Sequence, residues 1–369
     1  MVALGAAVGV GRFVYTPILP FMEAGIGLTK AEAGLIASAN YLGYLLGALG
    51  ASWRTLPGDR RTWFVAALGL SALTTGVMGL ADTMAMFLAL RLIGGVASAF
   101  VLVFASALVL DRLAAAGRPG LSALHFAGVG CGIALSAVLV AELAASGYGW
   151  RAQWIASGAV SVLALAIAWA LVPGGSRTSA PTGPAPVAGA NRGLASLIVA
   201  YGLFGFGYVI TATFISTMVR NAPEISDLEQ VIWLVVGLAA APSVALWTWI
   251  GRRWGNDRGL ALACVVEGVG VAMSVLATGA IAVTVSAALL GGTFVGITAL
   301  GLIRARDLSR GDPRRSFALM TAAFGLGQMI GPGLAGLAYG LGDSFLAPSL
   351  VAAAALIVAA GLVLDRREN

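Results

Sequence analysis

Residues 173–193 read PGGSRTSAPTGPAPVAGANRG, and this stretch decides how the rest of the chain is divided. It holds four of the thirteen prolines and contains the midpoint of the 369 residues. Such a composition is typical of a flexible linker. Six long apolar runs lie on each side of it. The sequence therefore predicts a first unit at 1–172, a linker at 173–193 and a second unit at 194–369.

The composition on both sides of the linker is that of a membrane protein. Hydrophobic residues make up 59% of the chain and charged residues 10%, with a mean hydropathy of +0.93. An average soluble domain has about 25% charged residues. The net charge of +6 comes from loop arginines and not from a basic face, so soluble enzymes and nucleic-acid-binding proteins are excluded. The apolar runs are also far longer than the strands of a transmembrane β-barrel, which have about ten residues, so a barrel is disfavoured. The lipid bilayer is therefore an expected partner.

Twelve membrane-spanning helices are predicted, because each apolar run is long enough to cross a hydrocarbon core of about 30 Å. Their predicted bounds, to within a few residues, are 2–24, 30–53, 62–81, 83–110, 121–145 and 149–172 before the linker, and 194–220, 227–250, 257–278, 280–303, 315–341 and 344–364 after it. The predicted fold class is an all-α membrane protein.

Basic residues are distributed unequally between the two sides of the predicted spans. Of the 22 lysines and arginines, Arg12 and Arg91 lie within spans, and Lys30, Arg151 and Arg220 lie on one side. All the others lie on the side of the two chain ends. The positive-inside rule places that side in the cytoplasm. The sequence therefore predicts a multi-pass protein of the cytoplasmic (inner) membrane with both termini and the linker in the cytoplasm.

The two units also repeat each other. Three landmarks recur at nearly one offset: Asp59-Arg60 as Asp257-Arg258, Gly94-Gly95 as Gly291-Gly292, and Gly128-x-Gly130 as Gly325-x-Gly327. Glycine is common in this chain, so the constant spacing carries more weight than any single match. The repeat predicts two units of the same topology, related by an axis along the membrane normal.

Three segments carry a resemblance to a known family. GVGRFVYTPILPFM at 9–22, AGLIASANYLGYLLGA at 33–48 and YGLFGFGYVITATFI at 201–215 resemble the YbfB/YjiJ-type branch of the major facilitator superfamily. The resemblance runs through all twelve spans. It implies the major facilitator fold, with two pseudo-symmetric six-helix bundles and a permease that binds a solute between them. It also implies alternating access by a monomer.

The resemblance further implies a cytoplasmic gate. The loop after span 8 looks like the basic gating motif that holds helices together on the cytoplasmic face, and the loop after span 2 looks like a degenerate copy. The gate residues that this resemblance assigns are Asp59, Arg60, Arg252, Arg253, Asp257 and Arg258. The Gly-Pro motif of drug antiporters is missing from span 5, and a Gly-Pro pair lies at 331–332 in span 11 instead. That departure disfavours a drug antiporter.

Arg12 is the most informative single residue. It lies about ten residues into span 1, where insertion of an arginine costs roughly 2.5 to 3.5 kcal/mol. Tyr15 and Thr16 share its helix face, and Pro17 and Pro20 are expected to break the helix beyond it. Two interpretations remain open. Arg12 binds an anion or acts as a gate in a central cavity, or it forms a fixed pair with a carboxylate or a helix C-terminus.

Two further charged residues lie inside predicted spans. Arg91 with Gly95 resembles the Arg-x-x-x-Gly motif of span 4, which implies either substrate binding or an influence on the protonation of a neighbouring acid. The same arrangement also serves helix packing. Glu267 is the acidic residue at mid-depth in span 9. Desolvation favours the neutral form of a carboxyl group there, and such a group is suited to carry protons. The alternative for Glu267 is a neutral, hydrogen-bonded side chain.

Polar and aromatic side chains supply a second set of candidate substrate-binding residues. They fall at helical spacing on spans 2, 7 and 11, where they could line a cavity between the units. Single polar residues in spans are more often interhelical hydrogen-bond partners, so both interpretations stay open for each of them. This set consists of Asn40, Tyr44, Tyr208, Thr211 and Gln328, next to Tyr15 on span 1.

The sequence as a whole predicts a secondary active transporter that moves a small organic solute by alternating access. Two intramembrane arginines against one mid-depth glutamate favour an anionic or zwitterionic solute over a cationic drug, and an anionic solute is the prediction. Proton coupling through Glu267 and Arg91 is expected, and export is favoured over uptake. The alternative is a non-transporting facilitator fold that serves as an assembly factor or receptor. An enzyme is disfavoured, because the predicted cytoplasmic segments carry no metal-ligand set or nucleotide loop. No cofactor, metal ion or nucleic acid is expected.

Overall fold

The computed structural model describes residues 1–52, 56, 58–172, 192–309 and 313–365. Within these ranges, twelve helical segments are long and apolar enough to cross a membrane. They are numbered span 1 to span 12 in chain order: Val2–Ile26, Lys30–Ala51, Arg60–Leu80, Met84–Ala115, Ser122–Ala145, Trp150–Leu171, Arg192–Arg220, Ser226–Trp254, Asn256–Leu276, Ala280–Leu308, Ser316–Gly342 and Leu346–Leu364.

The twelve predicted spans are confirmed, with bounds that differ most in spans 4 and 10. These two helices continue to Ala115 and Leu308, beyond the predicted ends at 110 and 303. Most of the predicted linker, residues 173–191, lies outside the described part of the chain. Its last two residues, Arg192 and Gly193, begin span 7. Because the number of spans is even, both chain ends lie on one face, here called the terminal face; the other is the opposite face.

Several helix starts are determined by local side-chain caps. Thr29 accepts a hydrogen bond from the Glu32 N–H, and the Glu32 carboxylate accepts one from the Thr29 N–H, which forms a capping box at the start of span 2. Asp59 accepts from the Thr62 N–H at 2.6 Å at the start of span 3. Between spans 1 and 2, Gly27 has a φ of 67°, a conformation that glycine adopts without strain.

Span 1 is not a continuous α-helix. An α-helical turn at Val2–Leu4 is followed by a π-helix at Gly5–Val10, an irregular turn at 11–14 and an α-helix at Tyr15–Ile26. Pro17 has no N–H to donate to the Phe13 carbonyl. Thr16 donates to that carbonyl instead, at 3.2 Å. The sequence-based expectation of a break beyond Arg12 was therefore wrong in position, since the irregular turn includes Arg12 itself.

The first half of the chain (spans 1–6) packs against the second half (spans 7–12) through three pairs of helices. Span 1 packs on span 7, span 2 on span 11, and span 5 on span 8. The internal repeat relates span 2 to span 8 and span 5 to span 11. The interface between spans 2 and 11 is therefore the repeat counterpart of the interface between spans 5 and 8. The central space between the halves is therefore bounded by spans 1, 2, 5, 7, 8 and 11.

Glycines let the backbones of the two halves approach each other closely. A Cβ atom at Gly34 in span 2 would lie 2.2 Å from the Pro332 carbonyl oxygen in span 11. A Cβ atom at Gly130 in span 5 would lie 2.3 Å from the Ala241 nitrogen in span 8. Small residues at helix–helix contacts are typical of membrane proteins. Pro332 of the Gly-Pro pair thus lies at the interface between the halves, whereas Gly331 faces span 7 of the second half.

Candidate functional site

Arg12 lies in the irregular turn of span 1 and is 5% exposed. The guanidinium carbon lies 4.6 Å from the ring centre of Tyr41, 4.3 Å from that of Tyr44 and 5.2 Å from that of Phe13. The Tyr44 hydroxyl lies beside it. In the described part of the chain, the Nε and Nη2 groups of Arg12 have no hydrogen-bond partner. Arg12 is thus a buried cation held by aromatic rings, with donors left free.

Arg91 in span 4 contacts the same irregular turn. Its Nη1 donates to the Gly11 carbonyl at 3.1 Å, and its Nη2 donates to the Arg12 carbonyl at 3.0 Å. Its guanidinium carbon lies 5.0 Å from the ring centre of Tyr15. The irregular turn leaves carbonyl groups without helical partners, and a buried carbonyl group needs a donor. Arg91 therefore holds the backbone of the turn from which Arg12 projects.

Asn40 and Tyr15 also use their polar groups on backbone carbonyls. The Asn40 Nδ2 donates to the Arg91 carbonyl at 2.8 Å, and the Tyr15 hydroxyl donates to the Ala33 carbonyl at 2.9 Å. Both side chains are buried. The structure therefore brings Arg12, Tyr15, Asn40, Tyr44 and Arg91 together in the first half. Arg12 leaves two donor nitrogens, Nε and Nη2, without a partner in the described part of the chain, and Arg91 leaves its Nε.

The second half presents a cluster of aromatic rings, here called the ring stack: Phe204, Tyr208, Phe294 and Phe324. Tyr208 lies parallel to Phe294 and to Phe324, with interplanar angles of 6° and centroid distances of 5.5 and 6.0 Å. Phe204 is stacked 5.2 Å from Tyr208 and 5.3 Å from Phe324. Gln328 donates a hydrogen bond to the Tyr208 hydroxyl. Offset stacking at such distances is the favoured arrangement of aromatic pairs.

The ring stack reaches the first half through Phe13. The Phe13 ring lies 5.8 Å from Phe294, edge to face, and 6.2 Å from Trp233 of span 8. The Tyr208 hydroxyl interacts electrostatically with both Arg12 and Glu267. Tyr208 and Gln328, predicted as substrate-binding residues, therefore lie next to the Arg12 cluster.

Thr211 is fully buried on span 7, and its hydroxyl oxygen has no hydrogen-bond partner within the described residues. It lies three residues after Tyr208 and seven after Phe204, so it shares a helix face with these two rings. Gly207 and Phe214, which contact span 12, lie on the adjoining side of the same helix. Thr211 therefore lies at the edge of the helix face that carries the ring stack.

Glu267 in span 9 is fully buried, at 0% exposure. Neither carboxyl oxygen has a hydrogen-bond partner that meets the usual geometry within the described residues. The Thr293 hydroxyl of span 10 is beside the carboxyl group, but it already donates to the Leu289 carbonyl at 2.6 Å. Glu267 therefore lies inside the second half, within electrostatic reach of Tyr208.

The predicted gate residues lie at the terminal face. Arg60 pairs with Asp111 at 3.0 Å, and Asp257 pairs with Arg304 at 2.5 Å. Both pairs connect helices of one half. The backbone N–H of Thr62 lowers the pKa of Asp59, which caps span 3. Arg252, Arg253 and Arg258 are exposed.

A polar cluster at the opposite face was missed by the sequence analysis. It is here called the opposite-face clasp and consists of Glu23, Lys30, Thr217, Arg220 and Glu229. Glu23 pairs with Lys30 at 2.6 Å and accepts a hydrogen bond from Thr217 at 3.2 Å, and Arg220 pairs with Glu229 at 2.6 Å.

The clasp crosses between the halves, because Glu23 belongs to span 1 and Thr217 to span 7. The guanidinium carbon of Arg220 also lies 4.3 Å from the ring centre of Phe21 in span 1. The available signal was the presence of Lys30 and Arg220 among the few basic residues of that side. The sequence could not pair them across the halves.

Comparison with known proteins agrees with this architecture. No curated protein sequence matches the chain. The solved structure of a nucleoside transporter, NupG, is similar to this chain, with a TM-score of 0.76 and 15% sequence identity. The alignment covers 100% of this chain and 98% of the NupG chain, and that structure is of an aspartate-to-alanine variant. A second NupG structure has 16% identity and a TM-score of 0.72 over 98% of this chain and 96% of that one. At 15–16% sequence identity, the similarity to these two structures establishes the fold alone.

The family is shown by a match over most of the chain. Residues 4–364 match the model of the family described as "Uncharacterised MFS-type transporter YbfB". The predicted major facilitator fold is confirmed by this match and by the similar structures. The chain therefore belongs to the YbfB-type family of the major facilitator superfamily, and it is a secondary transporter rather than an enzyme.

Proposed function

We propose that this transporter moves a small organic anion across the cytoplasmic membrane and that Arg12 binds the anionic group. The observation that carries the proposal is the state of Arg12, which is buried and leaves Nε and Nη2 without partners. A buried charge without a carboxylate or hydrogen bonds is costly. An anionic solute would supply both.

The remaining predicted substrate-binding residues are assigned different parts in this proposal. Tyr44, Tyr208 and Gln328 flank the Arg12 guanidinium and the ring stack, where a solute would be held. Arg91 positions the turn that carries Arg12, because it donates to two carbonyls of that turn. Tyr15 joins span 1 to span 2 through the Ala33 carbonyl, and Asn40 joins span 2 to span 4 through the Arg91 carbonyl. Thr211 shares a helix face with Phe204 and Tyr208, and its hydroxyl, which has no partner among the described residues, is proposed to serve the solute site.

Glu267 is proposed as the proton-coupling residue. Its carboxyl group is buried without a regular hydrogen bond, and an ionised carboxylate is costly to keep in such a place. Uptake of a proton removes that cost, so the charge of Glu267 would change during the transport cycle. Glu267 belongs to span 9, which packs on span 7, the helix of Tyr208, and this contact supports a link between the proton and solute sites. Arg91 would affect this link through the turn that it holds.

Alternating access is proposed to involve contacts at both faces. The opposite-face clasp must break for that face to open, because Thr217 and Glu23 belong to different halves. At the terminal face, Asp59, Arg60, Arg252, Arg253, Asp257 and Arg258 are proposed to form the cytoplasmic gate. We propose that a monomer with units at 1–172 and 194–369 performs the cycle, and that export is its direction.

The test is a thermal-shift screen of the purified protein with organic anions, followed by flux measurements in proteoliposomes. A bound solute stabilises the native state by mass action. Nucleosides belong in the screen as uncharged compounds, because the two similar structures are of a nucleoside transporter. Arg12→Ala should remove the response to anions, whereas Arg118→Ala, which changes an exposed loop arginine, should retain it. A response to anions that is unchanged in Arg12→Ala would refute the proposal.

A further inference from the structure

The free donors of Arg12 define the shape of the group that they can bind. Nε–H and the adjacent N–H of Nη2 lie on one edge of the guanidinium plane and point in the same direction. These are the two groups of Arg12 without partners. Two parallel N–H groups match the two oxygens of a carboxylate in a bidentate arrangement. The site therefore fits a planar carboxylate better than an anion of another shape.

The charge available at the site fits a single carboxylate. Arg91 is the second arginine at the turn. Its Nη1 and Nη2 groups already donate to the Gly11 and Arg12 carbonyls, and its Nε is the one of its nitrogens left without a partner among the described residues. Arg12 thus offers the edge with two adjacent free donors, which neutralises one negative charge. A dianion such as a phosphate monoester would keep an uncompensated charge in a buried site.

The surroundings of Arg12 fit a flat, aromatic body. Tyr208 is parallel to both Phe294 and Phe324, and Phe13 joins Phe294 to the turn of Arg12. Phe294 and Phe324 are each 7% exposed, which makes them the more accessible rings of the stack. A planar ring can stack on or insert beside parallel rings, whereas a saturated ring of similar size loses the favourable quadrupole contact.

We propose that the solute is an aromatic monocarboxylate, with its carboxylate on Arg12 and its ring against Phe294 and Phe324. This inference rests on the proposed function, because it needs Arg12 as the anion-binding residue. It adds the class of the solute, which neither the fold nor the family supplies. In this arrangement the solute connects the two halves, since Arg12 belongs to span 1 and the ring stack to spans 7, 10 and 11.

The test compares three probes of similar size on the purified full chain: benzoate, cyclohexanecarboxylate and benzamide. Benzoate has the charge and the planar ring, cyclohexanecarboxylate has the charge without the planar ring, and benzamide has the ring without the charge. Dissociation constants are measured by calorimetry in detergent or nanodiscs. Benzoate should bind about three- to tenfold more tightly than cyclohexanecarboxylate, from the usual strength of an aromatic pair, and benzamide should not bind measurably.

Variants distinguish ring recognition from anion binding. Phe294→Leu and Phe324→Leu should bring the ratio of the dissociation constants of cyclohexanecarboxylate and benzoate close to one, while cyclohexanecarboxylate still binds. Phe100→Leu is the matched control, because Phe100 contacts Trp63 and Phe104 in the first half, away from the ring stack. It should keep the wild-type ratio. Arg12→Ala should remove the binding of both acids.

The outcomes separate the two proposals. Equal binding of both acids that is lost in Arg12→Ala would overturn the aromatic class and leave the anion-binding function in place. Binding of benzamide as tight as that of benzoate would overturn both, because Arg12 would then have no part in recognition. Failure of benzoate and of the larger 2-naphthoate to bind at millimolar concentration would overturn the aromatic class.

Discussion

Arg91 donates a hydrogen bond of 3.0 Å to the backbone carbonyl of Arg12. One buried arginine thus fixes the backbone that presents the other. The second guanidinium nitrogen of Arg91 is held by the Gly11 carbonyl, whereas Arg12 keeps two nitrogens free. The two intramembrane arginines therefore differ in their roles, and substitutions should separate them.

Arg91→Ala should destabilise the protein. It removes two charge-assisted hydrogen bonds to carbonyls of the irregular turn, each worth about 1.5–3 kcal/mol. The melting temperature of the purified variant should fall by several degrees, and solute binding should fall with it. Asp82→Asn is the control for loss of a charged contact, because Asp82 pairs with Arg151 at the opposite face. A melting temperature equal to that of the wild type would contradict the positioning role of Arg91.

Arg12 should show the reverse pattern. Arg12→Lys keeps the charge but loses the planar fork, so it should weaken solute binding about tenfold or more. Arg12→Ala should abolish binding. Expression and melting temperature without solute should stay close to those of the wild type. The substitution loses the contacts of Arg12 with three aromatic rings, but it also removes a buried charge whose Nε and Nη2 have no partner. If Arg12→Ala binds and transports normally but unfolds more easily, Arg12 is structural.

Glu267→Gln tests the proton coupling. The amide has nearly the same shape as the neutral carboxyl group but cannot release a proton. Proton-driven flux in proteoliposomes should be abolished, whereas counterflow exchange of solute should continue at a rate near that of the wild type. Folding should be retained, since neither carboxyl oxygen takes part in a regular hydrogen bond. Proton-driven flux equal to that of the wild type would assign Glu267 to packing.

Breaking the opposite-face clasp should open that face. Glu23→Gln removes the charge that pairs with Lys30 and weakens the bond from Thr217. A cysteine at Ser216, which is fully buried on span 7, reports the opening in a background without Cys131 and Cys264. Its labelling by a water-soluble maleimide should become several-fold faster in Glu23→Gln. Asp82→Asn, which breaks an ion pair within the first half at the same face, should leave the labelling rate unchanged.

The orientation in the membrane is tested by cysteines on the two faces. A cysteine at Ser309 should be labelled only from the cytoplasmic side, and one at Asp343 only from outside, because basic residues concentrate at the terminal face. A cysteine at Ser176, which lies outside the described residues, should behave like the one at Ser309. Labelling of the Ser309 position from outside would reverse the proposed orientation.

The sequence by itself determined the span number and the bulk of the fold. Each span is a local property, since about 20 consecutive apolar residues suffice to cross the bilayer. The repeat at a constant offset added the relation between the halves, and both features appear in the structure. The mid-depth positions of Arg12, Arg91 and Glu267 were also readable, because depth follows from distance along a helix.

The tertiary structure decided what these residues contact. Arg91 was expected as a substrate or coupling residue, and its partners are the carbonyls of an irregular turn some 80 positions earlier in the chain. The sequence analysis expected the break in span 1 at Pro17 and Pro20, whereas the irregular turn lies earlier, at 11–14. The positions of prolines do not show which backbone carbonyls a neighbouring helix will bond. Thr211 shares a helix face with Tyr208, but only the packed helices show that its hydroxyl is buried without a partner in the described part of the chain.

The contacts between the halves depend on residues that are about 100 to 300 positions apart in the chain. Thr16 donates to the Ala212 carbonyl at 2.7 Å, and Thr217 donates to Glu23 at 3.2 Å. The ring stack likewise assembles from spans 7, 10 and 11. Hydropathy and spacing report the environment of each segment separately. The direction of a side chain and the identity of its partner are set only when the helices pack, because packing brings distant segments together and excludes lipid between them.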